Sequence, residues 1–219
     1  MEPDFWHDRW ENDLIGFHLD EVNPMLKAFW PGLGLEQGSR VLVPLCGKTL
    51  DLVWLAEQGH EVVGVELSPL AVAAFFEEQG LKADKIVTES YELWRCGRIS
   101  LICGDFFALT PEDIGVIDAI YDRAALIAMP EKMRPDYARQ LNSLVSGPMK
   151  GLLLTLFYEQ SQMSGPPFAV SPDEVQNLLS GNWLTEKCQD LDILEQNPRF
   201  KERGLNLLEE HVYLLRSRN

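Results

Sequence analysis

Apolar and polar positions along this chain alternate between two periods. Short apolar runs bounded by turn residues read as buried strands, and stretches with apolar residues three and four apart read as helices. Residues Arg40 to Leu45 form the first such run, followed by a helix from Thr49 to Gln58 that Gly59 stops. A second strand over Glu61 to Glu66 leads to a helix opened by Ser68 and Pro69 and ended near Gln79 by Gly80. Further strands are predicted at Ile99 to Cys103, with a hairpin arm before it near Tyr91 to Arg95, at Val116 to Tyr121 and at Gly151 to Phe157. Helices are predicted at Pro130 to Val145 and Ser171 to Leu179, and the chain closes with strands at Trp183 to Cys188 and His211 to Leu215. Near the start, Asp20 is placed to cap a helix through Met25, Leu26 and Phe29.

Strands alternating with helices predict an α/β, doubly wound, mostly parallel sheet. The last two strands lack a long helix between them, which predicts an antiparallel hairpin. The 219 residues contain no repeat or flexible linker, so one domain over 1–219 is expected.

Composition narrows the partners. The formal net charge of −15 repels phosphate backbones and anionic lipid, so neither nucleic acid nor membrane is expected to bind. Cys46, Cys96, Cys103 and Cys188 show no CxxC spacing and the opening residues no secretory pattern, so reduced thiols and a cytoplasmic location are expected. The four histidines and four cysteines do not cluster, and no metal site is expected. A monomer acting on a small molecule fits these totals.

The candidate chemistry lies at strand ends, where doubly wound sheets bind ligands. Gly47, in Leu45-Cys46-Gly47-Lys48-Thr49, lets backbone approach a ligand. Glu66 ends the second strand, where a carboxylate can accept ribose hydroxyls. Asp105 and Phe106 follow the third, suited to an adenine, although a turn cap explains Asp105 equally well. Arg123 follows Tyr121-Asp122, and a guanidinium there can clamp a cofactor carboxylate or draw in an anionic substrate. Lys48 reads as a surface charge. Gly47-Lys48-Thr49 resembles the tail of a nucleotide-binding P-loop, but the glycine that loop needs five residues earlier is Leu42. The three-glycine dinucleotide fingerprint is also missing, which argues against a nicotinamide-dependent reductase. A nucleoside cofactor without a pyrophosphate needs neither.

The segments VLVPLCGKTLDLVWLAEQGHEVVGVELS, FWHDRWENDLIGFH, CGDFFAL, YDRAALIAMP, GPPFAV and EEHVYLL, in this order apart from the N-terminal second one, span essentially the whole chain. Together they resemble the bacterial thiopurine S-methyltransferase family. The resemblance implies a class I, Rossmann-like methyltransferase fold with a seven-stranded sheet, one strand antiparallel, and an N-terminal helical lid over residues 1–35. It implies S-adenosylmethionine as methyl donor, leaving as S-adenosylhomocysteine, and thiopurines and other aromatic or heterocyclic thiols as acceptors. Selenium and tellurium compounds, and so a role in detoxification, are implied as well. It places cofactor contacts on Trp10, Leu45, Glu66, Asp105, Phe106 and Arg123, and substrate contacts on Phe17, Arg123 and Pro166. The alternatives are a methyltransferase for another small acceptor and a non-catalytic adenosine-binding protein.

Overall fold

The structure, a computed structural model, describes residues 3–218. The chain divides between Tyr121 and Asp122 into two units. The first contains helices α1 (Pro3–Glu11) and α2 (Pro24–Phe29), strand β1 (Arg40–Val43), α3 (Asp51–Glu57), β2 (Glu61–Glu66), α4 (Pro69–Glu78), β3 (Asp84–Val87), β4 (Glu92–Cys96), β5 (Ile99–Cys103), α5 (Pro111–Ile114) and most of β6 (Ala119–Arg123). The second contains the end of β6, then α6 (Arg134–Leu144), β7 (Lys150–Phe157), α7 (Pro172–Leu179), β8 (Trp183–Asp192), α8 (Pro198–Glu202) and β9 (Glu209–Ser217).

In the first unit β1 pairs in parallel with β2 and β6, and β2 pairs in parallel with β5. These are the βαβ units that the alternating pattern predicts. β2 runs Val62 to Glu66 buried, and Gly64 within it has no room for a side chain. A Cβ there would collide with Leu101 of β5 and lie 2.8 Å from the Cys46 sulfur. Helix α4 starts where Ser68 Oγ accepts the Ala71 N–H at 3.4 Å and Pro69 supplies the first turn. It then buries Ala71, Val72, Phe75 and Phe76 on one side.

The expected seven strands become nine among the described residues, because the hairpin arm is a complete pair. β3 pairs antiparallel with β4, and β4 antiparallel with β5 across a tight turn in which Gly97 takes φ +57. Leu93 and Trp94 of β4 are what the hairpin buries. Trp94 stacks on Phe76 of α4 at 5.7 Å, and the Lys85 ammonium lies over the Trp94 ring, 3.3 Å from its centroid. More than one strand is therefore antiparallel.

Several boundaries also differ from expectation, β8 running on to Asp192 and α6 starting at Arg134 among them, and two have a clear cause. The cap of α2 is Asn23, not Asp20: its side chain accepts the N–H groups of Met25 and Leu26 at 2.8 and 3.2 Å. The strand expected from Val116 begins at Ala119. Val116 is largely exposed, and the Asp118 side chain turns back to accept the Arg40 N–H at 2.7 Å.

In the second unit β9 lies between β7 and β8 and is antiparallel to both, the late hairpin the pattern predicts. Tyr158, Met163, Leu194, Phe200, Leu205 and Leu208 form a core cluster in this unit, with Leu156 of β7 packed against it. Helix α6 buries Tyr137, Ala138, Leu141 and Leu144 at helical spacing. No described helix is long and apolar enough to cross a membrane.

Candidate active site

The first unit gathers most of the predicted cofactor residues around one carboxylate. Glu66 leaves β2 buried, and each of its oxygens accepts one backbone N–H. Oε2 takes Gly47 and Oε1 takes Ser68, both at 2.8 Å. Burial pushes the Glu66 carboxyl up from its ordinary value, and the N–H groups of Ser68, Gly47 and Leu67 pull it back. A carboxylate has about four acceptor positions, so these bonds leave acceptor capacity for a ligand.

The loop after β1 is shaped to make this contact. Leu45 and Gly47 both take left-handed backbone angles, φ +48 and +56. That conformation is unfavourable for a leucine, and strain of this kind gathers at ligand-binding turns. Trp10 closes over the same turn: a Cβ on Gly47 would sit 3.3 Å from the indole Cζ2. Phe17 packs edge-on against Trp10 at 5.6 Å and against Trp6 at 5.9 Å. Lys48 pairs with Glu78 of α4.

Asp51, the first residue of α3, fixes the N-terminal segment to this loop. One oxygen of its buried carboxylate accepts the Asn23 N–H at 2.8 Å, and the other accepts the Tyr121 hydroxyl at 2.9 Å. At the end of β5, Asp105 caps a short turn by accepting the Phe107 N–H at 2.9 Å, and Phe106 is buried edge-on against Phe107. Both residues thus have local structural work, and Gly104 between β5 and this turn donates its N–H to the Glu66 carbonyl at 2.9 Å.

Two predicted residues fall in the second unit. Arg123 ends β6, and among the described residues no salt bridge engages it. Its neighbour Asp122 is already committed to Leu126 and Tyr137, so the adjacent ion pair does not form. The charge of Arg123 is felt by Glu210, whose carboxyl is pushed up by burial and drawn down by Arg123. It is also felt by Arg199, whose guanidinium is pushed down by burial, then by Arg123 and Arg203. In a strongly acidic chain this is a local excess of positive charge. Pro166 lies in the Gly165-Pro166-Pro167-Phe168 turn, where the Phe168 ring occupies the place of a Gly165 side chain and Tyr158 Oη donates to the Pro167 carbonyl at 2.7 Å.

Sequence reasoning missed Ser68 as a donor to Glu66, Asp122 and Tyr137 as a pair, and Arg199. The first was within reach, since a residue two positions past a strand-end carboxylate is a natural donor. The others are brought together only by the fold.

A profile of the family described as Thiopurine S-methyltransferase (TPMT) matches residues 1–218. The chain belongs to the thiopurine S-methyltransferase family. A relative named thiopurine S-methyltransferase from Pseudomonas fluorescens is 52% identical over 215 residues, 98% of this chain and 97% of that one. One of the same name from Azotobacter vinelandii is 49% identical over 218 residues, covering 100% of both chains. Among solved structures, the Burkholderia thailandensis 1,6-didemethyltoxoflavin-N1-methyltransferase with bound 1,6-didemethyltoxoflavin and S-adenosylhomocysteine aligns with a TM-score of 0.65. It is 16% identical, and the match covers 99% of this chain and 87% of that one. A SAM-dependent methyltransferase from Anabaena variabilis aligns at 0.66 with 12% identity, covering 99% and 95%. These likenesses give this family member a Rossmann-like α/β methyltransferase fold.

Proposed function

We propose that this family member transfers the methyl group of S-adenosylmethionine to the sulfur of thiopurines and other aromatic or heterocyclic thiols, as a monomer in the cytoplasm, with 1–219 as one catalytic domain and residues 1–35 as its lid. Residues 1, 2 and 219 of that range lie outside the described residues. The observation that carries the proposal is the buried Glu66 carboxylate, held by Gly47 and Ser68 with acceptor capacity remaining for the hydroxyls of a vicinal diol. A pair of carboxylate acceptors suits the two hydroxyls of a ribose.

Bound S-adenosylmethionine supplies an electrophilic methyl on a sulfonium. Glu66 orients the ribose, Leu45 and Gly47 present backbone to the cofactor, and Asp105 and Phe106 border its adenine. Trp10 and Phe17 exclude water, and an aromatic face beside a sulfonium contributes about 0.5–2 kcal/mol. Arg123, whose charge reaches Arg199, favours the thiolate form of the acceptor and draws it in, while Pro166 walls the acceptor side. An aromatic thiol ionises readily because its ring spreads the charge, so orientation and charge stabilisation replace a strong general base.

The test is a product assay with S-adenosylmethionine, run in parallel with a thiopurine, a simple aromatic thiol, selenite and tellurite. Methylated sulfur from the first two is the expected result, and methylated selenium or tellurium extends the acceptor range. Cofactor binding without product from any of the four would instead make this an adenosine-binding protein.

A further inference from the structure

The residue after Arg123 is Ala124, and it takes φ +68. A residue with a Cβ is disfavoured there, and such angles persist only where surrounding contacts impose them. The contacts are on both sides of the turn. Asp122, buried at 2% exposure, folds its carboxylate over the turn, and Oδ1 accepts the Leu126 N–H at 3.2 Å. Oδ2 accepts the Tyr137 hydroxyl from α6 at 2.7 Å. Downstream, Arg134 Nε donates to the Met129 carbonyl at 3.0 Å, and Phe168 N–H donates to the Ile127 carbonyl at 2.7 Å. Arg134 is itself fixed by Glu174 and the Ala169 carbonyl.

We propose that Asp122 and Tyr137 are positioning residues for the methyl transfer: their hydrogen bond anchors the left-handed turn at Ala124 and thereby sets the direction in which Arg123 leaves β6. Burying a carboxylate is unfavourable unless its acceptors are filled, and here both oxygens are filled by groups that define the turn carrying Arg123. Tyr137 comes from the buried face of α6, so the turn is referenced to a packed helix and not only to itself. Arg123, by contrast, is tied by no salt bridge of its own among the described residues. Its backbone turn is then the part of the protein that decides where its charge lies. A guanidinium displaced by about 1 Å is enough to cost around a hundredfold in rate when orientation drives the reaction.

The inference rests on the role proposed above for Arg123, and a double-variant cycle separates the two. Steady-state kinetics with S-adenosylmethionine and a thiopurine are measured for the full chain and for Arg123→Ala, Tyr137→Phe and the double variant. Asp122→Asn is a second entry to the same cycle in case the first variant unfolds, and thermal melting checks that each variant is folded at the assay temperature. The expected result is that Tyr137→Phe lowers kcat/KM for the acceptor about tenfold, in the same parameter that Arg123→Ala moves and with cofactor KM unchanged, and that it adds less than about twofold in the Arg123→Ala background. If Arg123→Ala lowers activity but the Tyr137→Phe loss is absent, or multiplies in full in the double variant, the positioning role is overturned while Arg123 keeps its own. If Arg123→Ala itself leaves kcat/KM unchanged, the assignment of Arg123 fails, and the inference with it.

Discussion

Glu66 at the end of β2 and Asp122 near the end of β6 are both buried carboxylates that accept backbone N–H groups beside a non-glycine residue in left-handed conformation. They differ in what remains after those bonds. Glu66 is 7% exposed and takes one N–H on each oxygen, so it holds its loop and still has acceptors for a ligand. Asp122 is 2% exposed, and its second oxygen is filled by a tyrosine hydroxyl from inside the protein. The same device therefore does two jobs. On the roles proposed above, it presents the carboxylate at β2 and the neighbouring arginine at β6.

Removing Glu66 should separate the two most widely. Glu66→Ala deletes the proposed ribose acceptor and leaves the Gly47 and Ser68 N–H groups without this partner. Hydrogen bonds to charged groups contribute about 1.5–3 kcal/mol each, so two lost bonds predict cofactor affinity at least about a hundredfold weaker by calorimetric titration. An Asp122 variant should leave that affinity within about threefold; a comparable loss there would erase the distinction.

The next effect is on stability against pH. Burial raises Asp122 from its ordinary value of 3.8 to about 6. The folded protein then holds that proton more tightly than the unfolded chain, so this contribution to stability is complete below about pH 4 and is lost as pH rises through about 6. Asp122→Asn carries no such proton, and its stability relative to the native chain should rise by roughly 2–3 kcal/mol between pH 4 and 7 in urea melts. Glu66 is shifted in the same direction, so a residual slope should persist in the variant. A flat difference between the two proteins would contradict the burial argument.

The smallest effects test the backbone at each turn. Gly47→Ala forces a Cβ into φ +56 and against Trp10, and should cost about 1–2 kcal/mol with cofactor binding weakened. Ala124→Gly does the reverse at φ +68, and a gain of about 0.5–1 kcal/mol raises Tm by roughly 1–4 °C. A loss of stability in Ala124→Gly would mean that the turn is not strained.

How far the sequence revealed these features follows the range of the interactions. The apolar runs of β2 and β5 are bounded by clear turn signals, and their limits match the structure residue for residue. β3 escaped because all four of its residues are exposed, so it carries no burial pattern to read. At α2, Asp20 and Asn23 are both good caps, and the residue directly before Pro24 is the one used. Gly47 and Glu66 were legible because parallel strands bring successive strand ends together. Tyr137 meeting Asp122, or Arg199 beside Arg123, depends on how α6 and α8 pack, which no local pattern encodes.

The central proposal is a hydrogen bond between the Glu66 carboxylate and the ribose of the methyl donor. It is tested most directly by titrating native protein and Glu66→Ala with S-adenosylhomocysteine and with its 2′,3′-dideoxy analogue. The native protein should bind the analogue about a hundredfold more weakly than the parent, and Glu66→Ala should bind the two alike. Equal affinity of the native protein for both ligands would contradict it.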